Sequence, residues 1–388
     1  RLIGPGKDFE LIETHVAGRP QQVFKGAPRN LAGLFRQGMA FGDRVMVVEG
    51  PEAITYAEGF ARAGALAGAL ADDFGVGVGT TVAVVTRNRA EWIIATLAIT
   101  ALGGIAALVN SRGVGEEMLR AIRQVGCELV IADAERDAIL CADCPDPVWP
   151  RIVIGAPEHP LRDGRDADFS ALCASRPSAA FAPRDMEAGD GAIILFTSGT
   201  TGFPKGALLS HGALAHSVSV ACFMGHLQDI RYEEESGEAL PDDRRSMATP
   251  AVILGPMFHL SGIMPILRAI SVGTTIHIMT KWNADVAFDM IEKVGMTRLS
   301  FVPAMLFDMF ASPRATPETL SQIRYMVNGA APLNLELVEE IKKRLPNCQL
   351  SNGYGRPEAT AWTCGISGKV YLEHPAACGW PAPTVTVQ

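Results

Sequence analysis

The stretch Ile193-Ile-Leu-Phe-Thr-Ser-Gly-Thr-Thr-Gly-Phe-Pro-Lys-Gly-Ala-Leu-Leu-Ser-His211 decides how the rest of the chain reads. Its apolar start, Ile193 to Phe196, has the composition of a buried strand. It runs into ten residues holding four hydroxyls, three glycines, a proline and a lysine before apolar sequence resumes at Ala207. Such a loop suits phosphates. Thr197, Ser198, Thr200 and Thr201 offer hydroxyl donors, Gly199, Gly202 and Gly206 let backbone N–H groups converge, and Lys205 adds a positive charge. The P-loop of nucleotide hydrolases is not matched, because Lys205 is followed by Gly206 rather than Ser or Thr and is preceded by Pro204.

Three further stretches, taken outward from this loop, share its character. Pro256-Met-Phe-His-Leu-Ser-Gly262 ends an apolar run, Asn328-Gly-Ala-Ala-Pro-Leu333 follows a strand-like segment, and Asn352-Gly-Tyr-Gly-Arg-Pro-Glu-Ala-Thr360 follows another. A lone histidine after a strand is more often structural than catalytic, and Gly329-Ala330-Ala331-Pro332 could be a plain tight turn. Together with the loop, however, they resemble the signatures of the adenylate-forming superfamily, which takes in acyl-CoA synthetases, luciferases and peptide-synthetase adenylation domains. Ile54-Thr-Tyr-Ala-Glu58 is similar to that family's early T-Y-x-E segment, and Leu102-Gly-Gly-Ile-Ala106 to its helix-to-strand turn.

The resemblance implies a role for each stretch. Thr197, Ser198, Gly199, Thr200, Thr201, Gly202 and Lys205 would hold the phosphates of ATP. Gly329, Ala330 and Ala331 would pack against adenine, whose face Tyr354 would cover, with Asn352, Gly353, Gly355 and Pro357 in the same motif. Glu358 would hold Mg²⁺. His259 would donate to a substrate carboxylate beside Met257 and Phe258. The implied reaction starts with that carboxylate attacking the α-phosphorus of ATP, giving an acyl-adenylate and pyrophosphate, after which CoA thiolate attacks the acyl carbonyl. No enzyme nucleophile is required, so Lys205, Thr200, Glu358 and His259 are the expected catalytic groups through positioning and charge neutralisation.

Two departures from the family pattern stand out. Pro357 occupies the place of a Thr whose hydroxyl and N–H would face the α-phosphate, and proline supplies neither. A missing transition-state donor can cost on the order of a hundredfold in rate. Ala304 likewise stands where family members often carry Thr. Ala377-Cys-Gly-Trp-Pro-Ala-Pro-Thr-Val385 looks like the family's V-G-x-P-x-P-G turn, and its ribose-binding T-G-D motif, hinge and smaller C-terminal domain do not occur in the 388 residues. The chain is therefore expected to be the large N-terminal adenylation domain, 1–388, without the C-terminal cap domain.

A fatty acid is the favoured substrate, because Met257, Phe258, Leu260, Ile263 and Met264 make the vicinity of His259 apolar; an aryl carboxylate would suit the same wall. CoA and a carrier-protein thiol both remain open as acceptors. A reading from another class also stands: a non-catalytic nucleotide- or acyl-binding module derived from this fold, motivated by Pro357 and the absent C-terminal domain.

Size and composition set the limits within which these readings hold. At 388 residues the chain exceeds one comfortable core. A net charge of −8 with no basic stripe excludes nucleic acid as a partner. Eight scattered cysteines, with only Cys141 and Cys144 in a C-x-x-C pair, point to a reduced cytoplasmic chain rather than a metal or disulfide framework. The N-terminus has no signal-peptide hydrophobic region. Trp92 to Val109 is uncharged over 18 residues, but Gly103-Gly104 interrupts it and Asn88 with Glu91 has the form of a capping box, so a buried helix is expected there instead of a membrane span. Homo-oligomerisation is left open.

Alternating strand and helix signals from Thr81 to Ala132 and again from Arg298 to Ser351 give the rhythm of doubly wound parallel sheets. The expected fold is α/β, with two lobes of roughly 30–185 and 190–350, mixed and largely parallel sheets, and a small β-rich segment at 351–388. Residues 142–190 read as irregular connection, and Glu233 to Arg245 as an exposed charged excursion.

Overall fold

Thr81-Val-Ala-Val-Val85 is buried at every position and forms the middle strand of a seven-stranded sheet. A parallel strand covered on both faces needs no polar alternation, which is why a continuous β-branched run serves here. The computed structural model describes residues 2–16, 18–176, 179–197, 204–328, 333 and 335–386. In spatial order the sheet holds Lys205–Ser210, Gly191–Thr197, Ile105–Leu108, Thr81–Val85, Leu129–Asp133, Arg151–Ile154 and Ala167–Asp168. Every neighbouring pair is parallel apart from the first, where Lys205–Ser210 folds back antiparallel on Gly191–Thr197. This is the mixed, largely parallel α/β arrangement expected from the sequence.

The sheet belongs to a unit made of Pro28–His216 and Gly255–Thr280. The second segment joins the first because Ile276–Ile278 pairs parallel with Val45–Glu49, which pairs antiparallel with Glu52–Thr55. Helix Leu260–Val272 also packs on helix Leu31–Met39. The contacts thus group the chain differently from a cut at 185–190.

Local signals set the helices of this unit. Helix Tyr56–Phe74 opens on a capping box in which the Glu58 N–H donates to Thr55 Oγ1 at 3.1 Å and the Thr55 N–H donates to the Glu58 carboxylate at 2.8 Å. The box expected at Asn88 and Glu91 does not form. Helix Ala90–Ala101 begins beyond Asn88, whose amide instead donates to the Gly255 carbonyl at 2.8 Å and accepts from the Met257 N–H at 3.0 Å. Glu49 accepts from the Ala90 N–H at 2.8 Å, and Glu91 pairs with Arg89. A long-range tether has therefore displaced a local cap. Helix Ala90–Ala101 is buried all round, which accounts for the uncharged run; among the described residues no helix is long and apolar enough to cross a membrane.

Residues 142–190 are more regular than their composition suggests. They contain the strands Arg151–Ile154 and Ala167–Asp168 and the helix Phe169–Ser175. A buried ion network replaces the apolar periodicity that would have announced them. Arg151 lies 3.0 Å from Asp137 and 2.7 Å from Asp166, and Arg162 lies 2.8 Å from Asp166. Burial opposes the charge of Asp166, but hydrogen bonds from Arg162 and Arg151 hold its carboxyl well below the usual range. Cys141, in the same network with Sγ 2.8 Å from Arg151, has its thiol pushed up by burial; the described residues contain no disulfide.

The other unit comprises Arg1–Ala27, Ser217–Leu254 and Lys281–Gln388. Its five-stranded sheet runs Arg298–Phe301, Tyr325–Asn328, Gln349–Arg356, Ala361–Ser367, Trp380–Pro381, the first three parallel and the last two antiparallel. Helix Leu335–Arg344 links the second and third strands and buries Leu337, Val338 and Ile341 on one stripe. The sequence reading missed the hairpin Leu11–Val16 with Arg19–Phe24, whose Phe24 meets Phe9 and Phe223 at ring-centroid distances of 5.3 and 5.5 Å. Helix His211–Ser236 spans the division between the units. It runs past Leu227 and absorbs Glu233 to Ser236 of the charged run, correcting the expectation of an excursion beginning at Glu233.

Candidate active site

Gly191–Thr197 runs parallel to Ile105–Leu108, which runs parallel to Thr81–Val85, so the chain leaves the carboxyl ends of all three strands at one sheet edge. Thr197 and Lys205 form the last register pair of the hairpin there, with the Thr197 hydroxyl 3.4 Å from the Lys205 carbonyl. Lys205 is exposed and has no ion-pair partner among the described residues. Gly206 also has a packing reason to lack a side chain: a Cβ on it would come within 2.9 Å of Ile194 Cγ2 and 3.0 Å of Val125 Cγ1. Of the loop residues proposed to grip phosphate, Ser198, Gly199, Thr200, Thr201 and Gly202 lie outside the described residues. So do Gly329, Ala330 and Ala331.

Two further cations follow the carboxyl ends of the neighbouring strands, Arg87 after Thr81–Val85 and Arg112 after Ile105–Leu108. Arg112 acts electrostatically on His259, the residue preceding helix Leu260–Val272. His259 is exposed, makes no capping hydrogen bond and lies against Phe258 with ring centroids 4.6 Å apart. Loss of hydration, and then the Arg112 guanidinium, lower its pKa, so the imidazole is neutral at pH 7 and can donate one N–H. The sequence reading missed Arg87 and Arg112. Their signal was positional, since each follows the end of a parallel strand, and neither sits in a motif.

The apolar neighbours of His259 are mostly interior. Met257, Phe258, Ile263 and Met264 are buried and Leu260 is half-buried, so these side chains form the packing beneath the histidine. Ile263 also lines a void of about 10 Å³ with Trp92, Ile266 and Leu267. That is about the room one water needs.

In the other unit, Asn352 to Arg356 end the strand Gln349–Arg356 and Pro357–Ala359 form a single 3₁₀ turn. Asn352 donates to the Ala377 carbonyl at 3.1 Å, and its own carbonyl lies 3.5 Å from the Asn328 amide. Tyr354 is 49% exposed, as a ring that offers a face to a ligand must be. Pro357 opens the turn, where its fixed φ is an advantage and its missing N–H costs nothing locally. Thr360 closes it in the left-handed region at φ 59°, its N–H donating to the Pro357 carbonyl at 2.8 Å. Glu358 projects from this turn, exposed and without an ion-pair partner among the described residues. No group of three metal-ligating side chains occurs among the described residues. A lone free carboxylate still fits Mg²⁺, which commonly takes one or two carboxylates and completes its octahedron with phosphate oxygens and waters.

Each unit therefore presents its own part of the expected site. Thr197 and Lys205 come together in one, with Arg112 acting on His259; Asn352, Gly353, Tyr354, Gly355, Pro357 and Glu358 follow one another along a strand and turn in the other.

A profile of the AMP-binding enzyme family matches residues 34–388. The chain is 30% identical over 324 residues to 4-coumarate–CoA ligase 3 of Oryza sativa subsp. japonica, a match covering 82% of this chain and 54% of that protein. It spans about half the length of the curated relatives it matches. Among solved structures, o-succinylbenzoate CoA synthetase from Bacillus subtilis in complex with its acyl-adenylate intermediate matches with a TM-score of 0.72 at 22% identity, over 90% of this chain and 63% of that one. The inhibitor-bound N-terminal domain of FACL13 from Mycobacterium tuberculosis matches with a TM-score of 0.71 at 22% identity, over 91% and 82%. At these identities the structural matches speak for the fold.

Proposed function

The chain belongs to the AMP-binding enzyme family, and from that premise we propose that the protein activates a carboxylic acid with ATP and transfers the acyl group to the thiol of CoA. In the first step a carboxylate oxygen bonds to the α-phosphorus as the bond to pyrophosphate breaks. In the second, the thiolate of CoA bonds to the acyl carbon and AMP departs. The observation that carries this reading is the sheet edge holding an exposed Lys205 without an ion-pair partner among the described residues, with Arg87 and Arg112 after neighbouring strands. In a chain of net charge −8, cations gathered at the carboxyl ends of parallel strands favour a polyanion locally.

The residues divide the work by chemistry. Lys205 and the hydroxyls of Thr197, Ser198, Thr200 and Thr201 would hold the departing pyrophosphate, where charge accumulates as the bond breaks. His259, kept neutral, would donate to the acid's carboxylate and orient it without neutralising the nucleophile. Tyr354 would cover adenine opposite Gly329 to Ala331. Glu358 would hold Mg²⁺, which when bound supplies charge neutralisation to the triphosphate. Pro357 would provide no donor to the α-phosphate, leaving that task to other N–H or hydroxyl groups.

The acid is read as apolar, a fatty acid first. An aryl acid is the second reading, favoured by the 4-coumarate–CoA ligases among the relatives. Product analysis separates these: with ATP, Mg²⁺ and CoA, the protein should convert a fatty or hydroxycinnamic acid to its CoA thioester, and hydroxylamine should trap the adenylate when CoA is omitted. Hydroxamate without thioester would point to another acceptor.

A further inference from the structure

The strand carrying Tyr354 rests on an indole. A Cβ placed on Gly353 would lie 2.0 Å from Trp362 Cζ3, 2.4 Å from Cε3 and 2.6 Å from Cη2, so the six-membered ring already fills the space a side chain would need. Gly353 pairs with Gly365 and Gly355 with Trp362, and the ring reaches across from its own strand to cover Gly353. On its other side Trp362 packs into the cluster of Phe9, Phe24, Val220 and Phe223. Successive side chains alternate across a strand, so Tyr354 leaves the opposite face from the one Trp362 supports. The pairing shifts register at Tyr354 and Gly355, one step beyond the indole, and the chain then enters the turn that presents Glu358.

Resting on the adenylation reading above, we infer that Trp362 is a positioning residue for the nucleotide: it sets the height of the Gly353–Gly355 backbone above the aromatic cluster, and through it the placement of Tyr354 and Glu358. Trp362 touches neither group's ligand. Its contribution is to hold a glycine-rich strand, which has little side-chain packing of its own, at one level. Gly353 and Trp362 form a matched pair, the bare Cα and the flat ring each requiring the other. A smaller residue at 362 leaves the strand free to sink toward the vacated space, and a larger one at 353 lifts it.

The two halves of the phosphate-binding machinery make this testable. Lys205 lies on a different sheet, so affinity for inorganic pyrophosphate would report on the Lys205 side, whereas affinity for MgATP would also require Tyr354 and Glu358. Calorimetric titration of the wild type, Trp362→Leu and Gly353→Ala with each probe, alongside thermal melting, should show MgATP binding weakened about tenfold in both variants, with pyrophosphate binding unchanged. The double variant W362L/G353A, in which the added methyl refills the vacated space, should recover part of the MgATP affinity that G353A loses. Equal loss of both probes in step with melting temperature would reduce Trp362 to a general packing role and overturn the inference, as would undiminished MgATP binding in a folded W362L. If W362L does not fold, G353A displaces the same strand from the other side, and unchanged MgATP binding in it overturns the inference equally. A wild type that binds no MgATP is a distinct result and defeats the adenylation reading together with this inference.

Discussion

Lys205 stands opposite Thr197 at the loop end of the hairpin Gly191–Thr197/Lys205–Ser210, its side chain exposed at the carboxyl edge of the parallel sheet. Two consequences follow from that placement. Its charge is available to a ligand, and its removal disturbs little packing. Lys205→Ala is expected to lower acid-dependent ATP–pyrophosphate exchange on the order of a hundredfold, the scale of losing one group that stabilises developing charge. Its stability should stay within about 0.5 kcal/mol of the wild type, as at other exposed sites. Parallel loss of stability and activity in urea titration and exchange assays would contradict the placement.

Glu358 is exposed on its turn with no ion-pair partner among the described residues. Glu358→Gln keeps the shape and removes the charge that would hold Mg²⁺. Exchange by this variant should need a higher Mg²⁺ concentration for half-maximal rate, while thermal melting stays unchanged. An unaltered Mg²⁺ dependence would take the metal away from Glu358.

His211 is 1% exposed and neither ring nitrogen has a hydrogen-bond partner among the described residues. Loss of hydration lowers its pKa from 6.5 to about 4, with Asp190 opposing weakly. Because the unfolded chain takes up the proton first, the stability from a neutral His211 is fully present above pH 6.5. It is lost progressively as pH falls from about 6.5 to about 4, amounting to roughly 3 kcal/mol at the low end. His216 and His277 are lowered in the same direction by burial. Urea unfolding at pH 7 and at pH 4.5 should therefore show a smaller acid loss in His211→Phe than in the wild type; identical losses would show that His211 does not titrate on unfolding.

Asp166 sits wholly buried between Arg151 and Arg162. Asp166→Asn leaves the buried Arg151 guanidinium Asp137 as its one carboxylate partner among the described residues and should cost about 3–5 kcal/mol, the range for breaking a buried pair from one side. Denaturant titration gives the number directly. A cost below about 1 kcal/mol would mean the network is weaker than its geometry suggests.

The parts of this molecule that sequence made legible are those governed by local pattern. The β-branched run at Thr81 and the apolar run from Ile193 to Phe196 each carry their signal within a few residues, and they stand as strands where expected. What was illegible depended on distant partners. Asn88 looked like a helix cap and is a tether to Gly255 and Met257. The strand Arg151–Ile154 is stabilised at its start by Asp137 and Asp166, so its neighbourhood read as an irregular charged connection. Gly206 read only as a phosphate-loop glycine, and the crowding of its Cβ position by Ile194 and Val125 was not visible in the sequence. Of the candidate site, Lys205, His259, Tyr354 and Glu358 were nameable from motifs, as expectations. Arg87 and Arg112 were not, because two isolated arginines acquire meaning only when parallel strands bring their loops to one edge.

The proposed chemistry begins with attack of a carboxylate on ATP. Isotope exchange between pyrophosphate and ATP, run on the protein with a panel of fatty and aryl acids and with Mg²⁺, measures that step without any acceptor thiol. Label should enter ATP only when an apolar carboxylic acid is present, and Lys205→Ala should suppress it. Binding of MgATP with no exchange from any acid would contradict the claim and leave a nucleotide-binding module in its place.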